Sequence, residues 1–98
     1  MKLYPWDNSK DAFWINPENG LMWYVDEEVT ALCTRKLGRN YPKLNATAFI
    51  VAQQENNKIV PINRVLIDKK TNTVLHTDTS LEAMRVKIKM IRFSKAKF

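Results

Sequence analysis

Residues 47 to 77 hold three apolar, β-branched runs, TAFIVAQ, KIVPINRVLID and TVLHT, separated by the short polar breaks QENN and DKKTN. Runs of this texture bounded by Asn, Asp and Lys read as strands, and breaks this short suit antiparallel hairpins. A three-stranded meander is the simplest outcome. Pro61 cannot donate a ladder hydrogen bond, so it marks an edge position, a bulge or a strand start at Ile62. In the second break Asp68 can accept from nearby backbone N–H groups, and Asn72 tolerates the left-handed conformation.

Two more aromatic runs stand before the meander in DAFWINPENGLMWYV. Pro17 presets a turn corner and Gly20 accepts a positive φ. A loop over residues 17–20 places Trp14 opposite Trp23 and Phe13 opposite Tyr24; a change of one residue in loop length pairs Phe13 with Trp23 instead. Alternation then puts Phe13, Ile15, Met22 and Tyr24 on one face and Trp14 and Trp23 on the other. Both faces are apolar, so one is covered, by Tyr4-Pro5-Trp6 or by a helix, or is a contact patch. The candidate contact residues are Trp6, Trp14, Trp23 and Tyr24, because Trp and Tyr dominate binding hot spots.

DEEVTALCTRKLG is the best helix signal. Asp26 can cap, Glu27 and Glu28 suit the positive N-terminal dipole, Arg35 and Lys36 suit the other end, and Gly38 suits the residue after the helix. Val29, Leu32, Cys33 and Leu37 share one face, which makes Cys33 a core filler. The last segment is ambiguous. Thr79-Ser80-Leu81-Glu82 matches a capping box, so a helix starts near Ser80. Continued to Phe93, it has Met84, Ile88 and Ile91 on one side and Val86, Met90 and Phe93 on the other. As a strand, Val86, Ile88 and Met90 segregate from Arg85, Lys87 and Lys89. The helix is the preferred reading, with the strand as its alternative.

The result is an α+β single domain over residues 1–98, with 94–98 as a tail: a small antiparallel sheet of hairpin plus meander, packed with one or two helices, in the order β-β-α-β-β-β-α. The helix, three strands and helix of residues 27 to 92 resemble the topology of double-stranded-RNA-binding domains, which read shape and phosphates. Those domains cluster lysines at the start of the last helix, where this chain has Thr79-Ser80-Leu81-Glu82, so no residue is carried over.

Charge is unevenly spread. The net charge is +6, and residues 1 to 84 contain ten basic and ten acidic side chains, so the whole excess lies in residues 85 to 98. Residues 1 to 28 hold two lysines against six acids. A basic edge of Arg85, Lys87, Lys89 and Arg92, extended by Lys95 and Lys97, is therefore the candidate nucleic-acid-binding site. If helical, Arg85, Lys89 and Arg92 form a stripe; if extended, Arg85, Lys87 and Lys89 form a comb.

Chemistry is sparse. One Cys and one His exclude an intramolecular disulfide and the usual four-ligand zinc sites. Gly20 and Gly38 lie too far apart for a phosphate loop. No apolar run approaches the ~18 residues of a membrane span, and the first residues lack a signal-like apolar stretch, so a cytoplasmic location is expected and the Asn45-Ala46-Thr47 sequon reads as chance. No metal, cofactor or catalytic residue is expected. A basic ribonuclease using His76 with Arg64, Lys69 or Lys70 is a minor alternative. The leading expectation is a small non-catalytic protein that engages nucleic acid or a nucleoprotein complex through its basic C-terminal element. The alternative is an inhibitor or adaptor of phage or mobile-element type, acting on a host or partner protein, or forming a homodimer, through the Trp-rich hairpin.

Overall fold

The computed structural model describes residues 12–38 and 41–96 of the 98-residue chain. The elements are β1 (Trp14–Ile15), β2 (Met22–Val25), α1 (Glu27–Thr34), β3 (Ala46–Glu55), β4 (Lys58–Asp68), β5 (Val74–Asp78) and α2 (Leu81–Ser94). The strands form a single antiparallel sheet in the order β1-β2-β3-β4-β5. The α+β order is the expected one, and hairpin and meander share one sheet because β2 pairs with β3. Trp6 and Lys97 lie outside the described residues.

Local chemistry accounts for the turns. The first hairpin closes with Asn16 and Leu21 flanking residues 17–20: Asn16 N–H donates to Leu21 O at 2.9 Å, and Gly20, at φ 72°, donates to Asn16 O at 2.8 Å. Trp14 consequently faces Trp23 in register, as the four-residue loop requires. Asn56 and Asn57 both take positive φ, 49° and 64°, the geometry of a two-residue hairpin turn whose twist matches the strands. In the β4–β5 turn Asp68 accepts from the Lys70 and Thr71 N–H groups at 2.8 and 3.0 Å, and Asn72 sits at φ 58°. Pro61 lies at a bulge: Val51 pairs with Asn63 but Ala52 with Pro61. It is tolerated because β5 pairs only with Arg64 to Ile67, so its missing donor breaks no ladder on that side.

Both helices pack on one sheet face. Val29, Leu32 and Cys33 of α1 and Met84 and Ile88 of α2 are buried against Ala46, Ala48, Leu66 and Leu44. The two alanines keep that face shallow where the helices cross it. Tyr24, Ile50 and Ala52 continue the buried face toward the hairpin. Beyond the end of β2, the Ala48 backbone is served by α1: Asp26 N–H donates to its carbonyl at 2.8 Å, and its own N–H donates to Thr30 Oγ1 at 2.9 Å.

α1 starts where expected, with Asp26 accepting from Val29 N–H, but ends at Thr34, short of Gly38. Tertiary partners take over its last carbonyls: Leu44 N–H donates to Cys33 O at 2.8 Å, and Arg92 Nη1 donates to Leu32 O at 2.7 Å. Residues 85–93 are helical. Ser80, rather than Thr79, is the cap, accepting from Ala83 N–H at 3.1 Å; Ala83 then stands where a capping box needs Glu or Gln, so the expected box does not form. Strand-like alternation loses because Met84 and Ile88, four apart, complete the core beside α1. The other apolar set, Val86, Met90 and Phe93, remains on the outside. Ser94 closes the helix and Lys95 caps it, so residues 94 and 95, expected in the tail, belong to the helix end, while residues 97–98 lie outside the described residues.

Candidate nucleic-acid interface

The two helices run side by side in the same direction. At their start, Arg64 Nη1 meets Asp26 Oδ2, the cap of α1, at 2.7 Å in a buried ion pair, and Arg64 pairs across the sheet with Asp78, just before α2. At their end, Arg92 reaches Leu32 O. Carboxylates gather at the first end: Asp26, Glu27, Glu28, Asp78 and Glu82. The Ser80 N–H, and after it the His76 ring at 3.3 Å, hold the Asp78 carboxyl below the usual carboxylate range.

Four segments converge on the other end. Arg92 Nε donates to Pro42 O at 2.8 Å and ties α2 to the α1–β3 connection; Lys69 N–H donates to Asn45 O at 3.0 Å and ties the β4–β5 turn to the same connection. Lys95, at the end of α2, lies close enough to add its charge to Asp68, whose carboxyl the Thr71 and Lys70 N–H groups already hold low. This end therefore collects Arg35 and Lys36 after α1, Lys43 on the connection, Lys69 and Lys70 on the turn and Lys95 after α2. All six are exposed; Asp68 stands among the lysines, and Arg35 also lines a groove with Glu28 and Glu82. A surface with several unpaired lysines on adjacent loops can follow a chain of phosphates.

Of the six residues expected to form a basic edge, the five that lie among the described residues do not line up as one. Arg92 is buried: its guanidinium is spent on two backbone carbonyls of neighbouring segments, where a cation offsets the negative end of α1. Arg85 and Lys89 flank a groove between the helices that is also lined by Glu28, Glu82 and Arg35, so that flank of α2 is mixed in charge rather than a basic strip. Lys87 lies on the opposite flank of α2, 200° of helical rotation from Lys89 at about 100° per residue. Only Lys95 of the described set joins the basic end. Sequence reasoning singled out Lys69 and Lys70 only as partners of His76 and Lys43 not at all, and joined none of them to the basic edge because they are distant from residue 85 in the chain. A signal was nonetheless present: in an antiparallel meander the β4–β5 turn returns to the end at which β3 began, beside residue 43.

The hairpin set also changes. Tyr24 is buried, its hydroxyl 3.7 Å from Met22 Sδ, because its partner Ile50 lies on the helix-covered face. It is core, not a contact residue. Trp23 is half-buried against Phe49, ring centroids 5.7 Å apart, whereas Trp14 stays 48% exposed and meets Trp23 edge-on. Phe13 was expected on the Tyr24 face, but its ring packs on Phe49 at 5.4 Å, with the tryptophans. Residue 13 lies in a bend before β1, so strand alternation does not bind it.

His76 is half-buried and faces Asp78 of its own strand, while Arg64 is buried on Asp26. Arg64 is thus not held ready for a phosphorane. Burial raises the Cys33 thiol above its ordinary pKa, against the pull of Arg92 and Lys69. Among the described residues no group of three or more His, Cys, Asp or Glu could hold a metal ion, and no helix is long and apolar enough to cross a membrane. Comparisons with protein-family models, curated proteins and solved structures returned no match.

Proposed function

We propose that this chain is a non-catalytic, intracellular nucleic-acid-binding protein whose contact surface is the basic end of the helix pair: Lys43, Lys69, Lys70 and Lys95, flanked by Arg35 and Lys36. The observation that carries the reading is the convergence of exposed cations from four separate segments. Helix dipoles account for cations after α1 and α2 but not for lysines on the two connections. Contacts of this kind read backbone phosphate, so binding tolerates changes of base sequence. The test is fluorescence anisotropy with labelled duplex DNA, duplex RNA and single strands of about twenty nucleotides. The Lys43→Glu, Lys69→Glu, Lys70→Glu and Lys95→Glu quadruple variant should lose roughly tenfold or more in affinity while keeping its circular dichroism spectrum. Equal binding by the variant and the parent protein contradicts the proposal.

A second reading, protein contact through the hairpin, is supported by the exposure of Phe13, Trp14 and Ile15 at its edge. With Tyr24 buried and Trp23 half-buried, Trp14 is its one candidate Trp anchor among the described residues. An exposed Trp14 gives red-shifted, easily quenched emission that Trp14→Phe removes.

A further inference from the structure

α2 is apolar on two sides, and the sheet uses only one of them. Val86, Met90 and Phe93, at i, i+4 and i+7, are 46%, 57% and 55% exposed. Three large apolar side chains in one row, each about half in water, exceed the scattered apolar exposure of an ordinary surface. The row is also concave. Leu37 and Tyr41, from the segment after α1, raise a wall beside it, with the Tyr41 and Phe93 rings 5.9 Å apart, and the groove between has a volume of about 580 Å³. From Val86 to Phe93 the groove follows eight residues of α2, a rise of roughly 10 Å at 1.5 Å per residue step. That is the span over which a partner helix presents anchors at i, i+4 and i+7.

Charge selects the occupant. Lys89 stands in the groove wall, and among the described residues no acidic side chain lines it. Lys87 flanks the row on the other side, and the basic end of the molecule lies just past Ser94. A second copy of a chain with net charge +6 would bring Lys89 toward Lys89. A bilayer would satisfy the lysines but, being flat, would not fill a groove walled by Leu37 and Tyr41. An amphipathic helix of another protein, with leucines or aromatics on one face and carboxylates beside them, satisfies both the shape and the charge.

We propose that the groove along the outward face of α2 docks an acidic amphipathic helix of a partner protein. Its apolar side chains enter between Met90, Phe93 and Tyr41, and its carboxylates meet Lys87 and Lys89. Met90, unbranched and adaptable, suits a site that accepts more than one apolar anchor. The site is separate from the lysines of the basic end, so the protein can hold nucleic acid and a protein helix together.

The experiment uses the full chain and a synthetic helical peptide of about sixteen residues, with Leu or Phe at i, i+4 and i+7 and Glu on both flanks. Controls are a scramble of the same composition and a version with Lys in place of Glu. The acidic helix should bind with a Kd in the micromolar range, roughly tenfold or more tighter than either control. Amide shifts in 15N spectra should centre on Leu37, Tyr41 and residues 86–93. Met90→Glu should weaken the peptide roughly tenfold or more and leave nucleic-acid affinity within about twofold, since a central anchor is lost while the phosphate contacts stay. The proposal is overturned if the scramble binds as well, or if Met90→Glu binds the peptide like the parent. It is equally overturned if Met90→Glu abolishes binding to phosphatidylserine vesicles that the parent holds more tightly than the peptide, which makes the face a lipid contact. Loss of a parent dimer in that variant assigns the face to self-association and also overturns it.

Discussion

The two ends of the helix pair carry opposite charge, but folding accounts for only one of them. At the start of the helices, Asp26 caps α1 and pairs with Arg64, Asp78 receives the Ser80 N–H, and Glu27, Glu28 and Glu82 lie in first turns where the helix dipole favours carboxylates. Each acid there has a structural reason. At the other end Arg92 has one too, buried on the Leu32 and Pro42 carbonyls. Lys43, Lys69 and Lys70 have none of this kind: they are exposed, on connections, and remote in sequence. Charge that folding does not need is where a binding role is best sought.

Substitutions at the two ends should therefore fail in different ways. Asp26→Ala strands the Arg64 guanidinium in the core and removes the α1 cap, and should cost about 3–5 kcal/mol in urea unfolding, the range for breaking a buried pair. Arg92→Met keeps the volume but drops two charge-assisted hydrogen bonds, and a loss of about 1.5–3 kcal/mol is expected. A value near zero would mean that Arg92 is as dispensable as the surface lysines and erase the distinction drawn between them. Between the ends, Cys33 ionises more readily unfolded than folded, since burial raises its native pKa. Its contribution is complete below the ordinary thiol range and is lost as pH rises toward the raised native value. Stability should therefore fall on the alkaline side, a fall that Cys33→Ala removes, and native protein should react with a thiol reagent only as fast as it opens. Smallest of all, Lys69→Glu or Lys70→Glu should change unfolding by no more than about 0.5 kcal/mol, while still weakening nucleic-acid binding.

Much of the fold was legible because its signals are local. The Asp26 cap, the Asp68 and Asn72 turn and the four-residue hairpin loop are each set within a few residues and are found as read, and Pro61 takes one of the three roles open to it, the bulge. The end of α1 was not legible, since Leu44 and Arg92, supplied from elsewhere, replace the expected Gly38 terminus. The candidate site was misread for the same reason. Arg92 looks like any cation in a basic run until α2 is laid beside α1, when its position turns toward the Leu32 carbonyl. Tyr24 looked like a surface aromatic until β2 was paired with Ile50. Counting charge along the chain located the excess in residues 85 to 98, but the sheet regroups it. Lysines 26 residues apart, Lys43 and Lys69, come to one surface, while Arg85 and Lys89 are left beside glutamates.

Salt dependence tests the basic end most directly, because each lysine that displaces a counterion from phosphate adds to the slope of log affinity against log salt concentration. Four contacts, at roughly 0.9 each on duplex DNA, give a slope near −3.6. Titrating labelled duplex with the parent protein over a range of potassium chloride should return a slope steeper than about −3, with Lys69→Glu and Lys70→Glu each making it shallower by about one contact. A shallow slope in the parent protein, or one that these substitutions leave unchanged, would contradict the assignment of nucleic-acid binding to this end of the molecule.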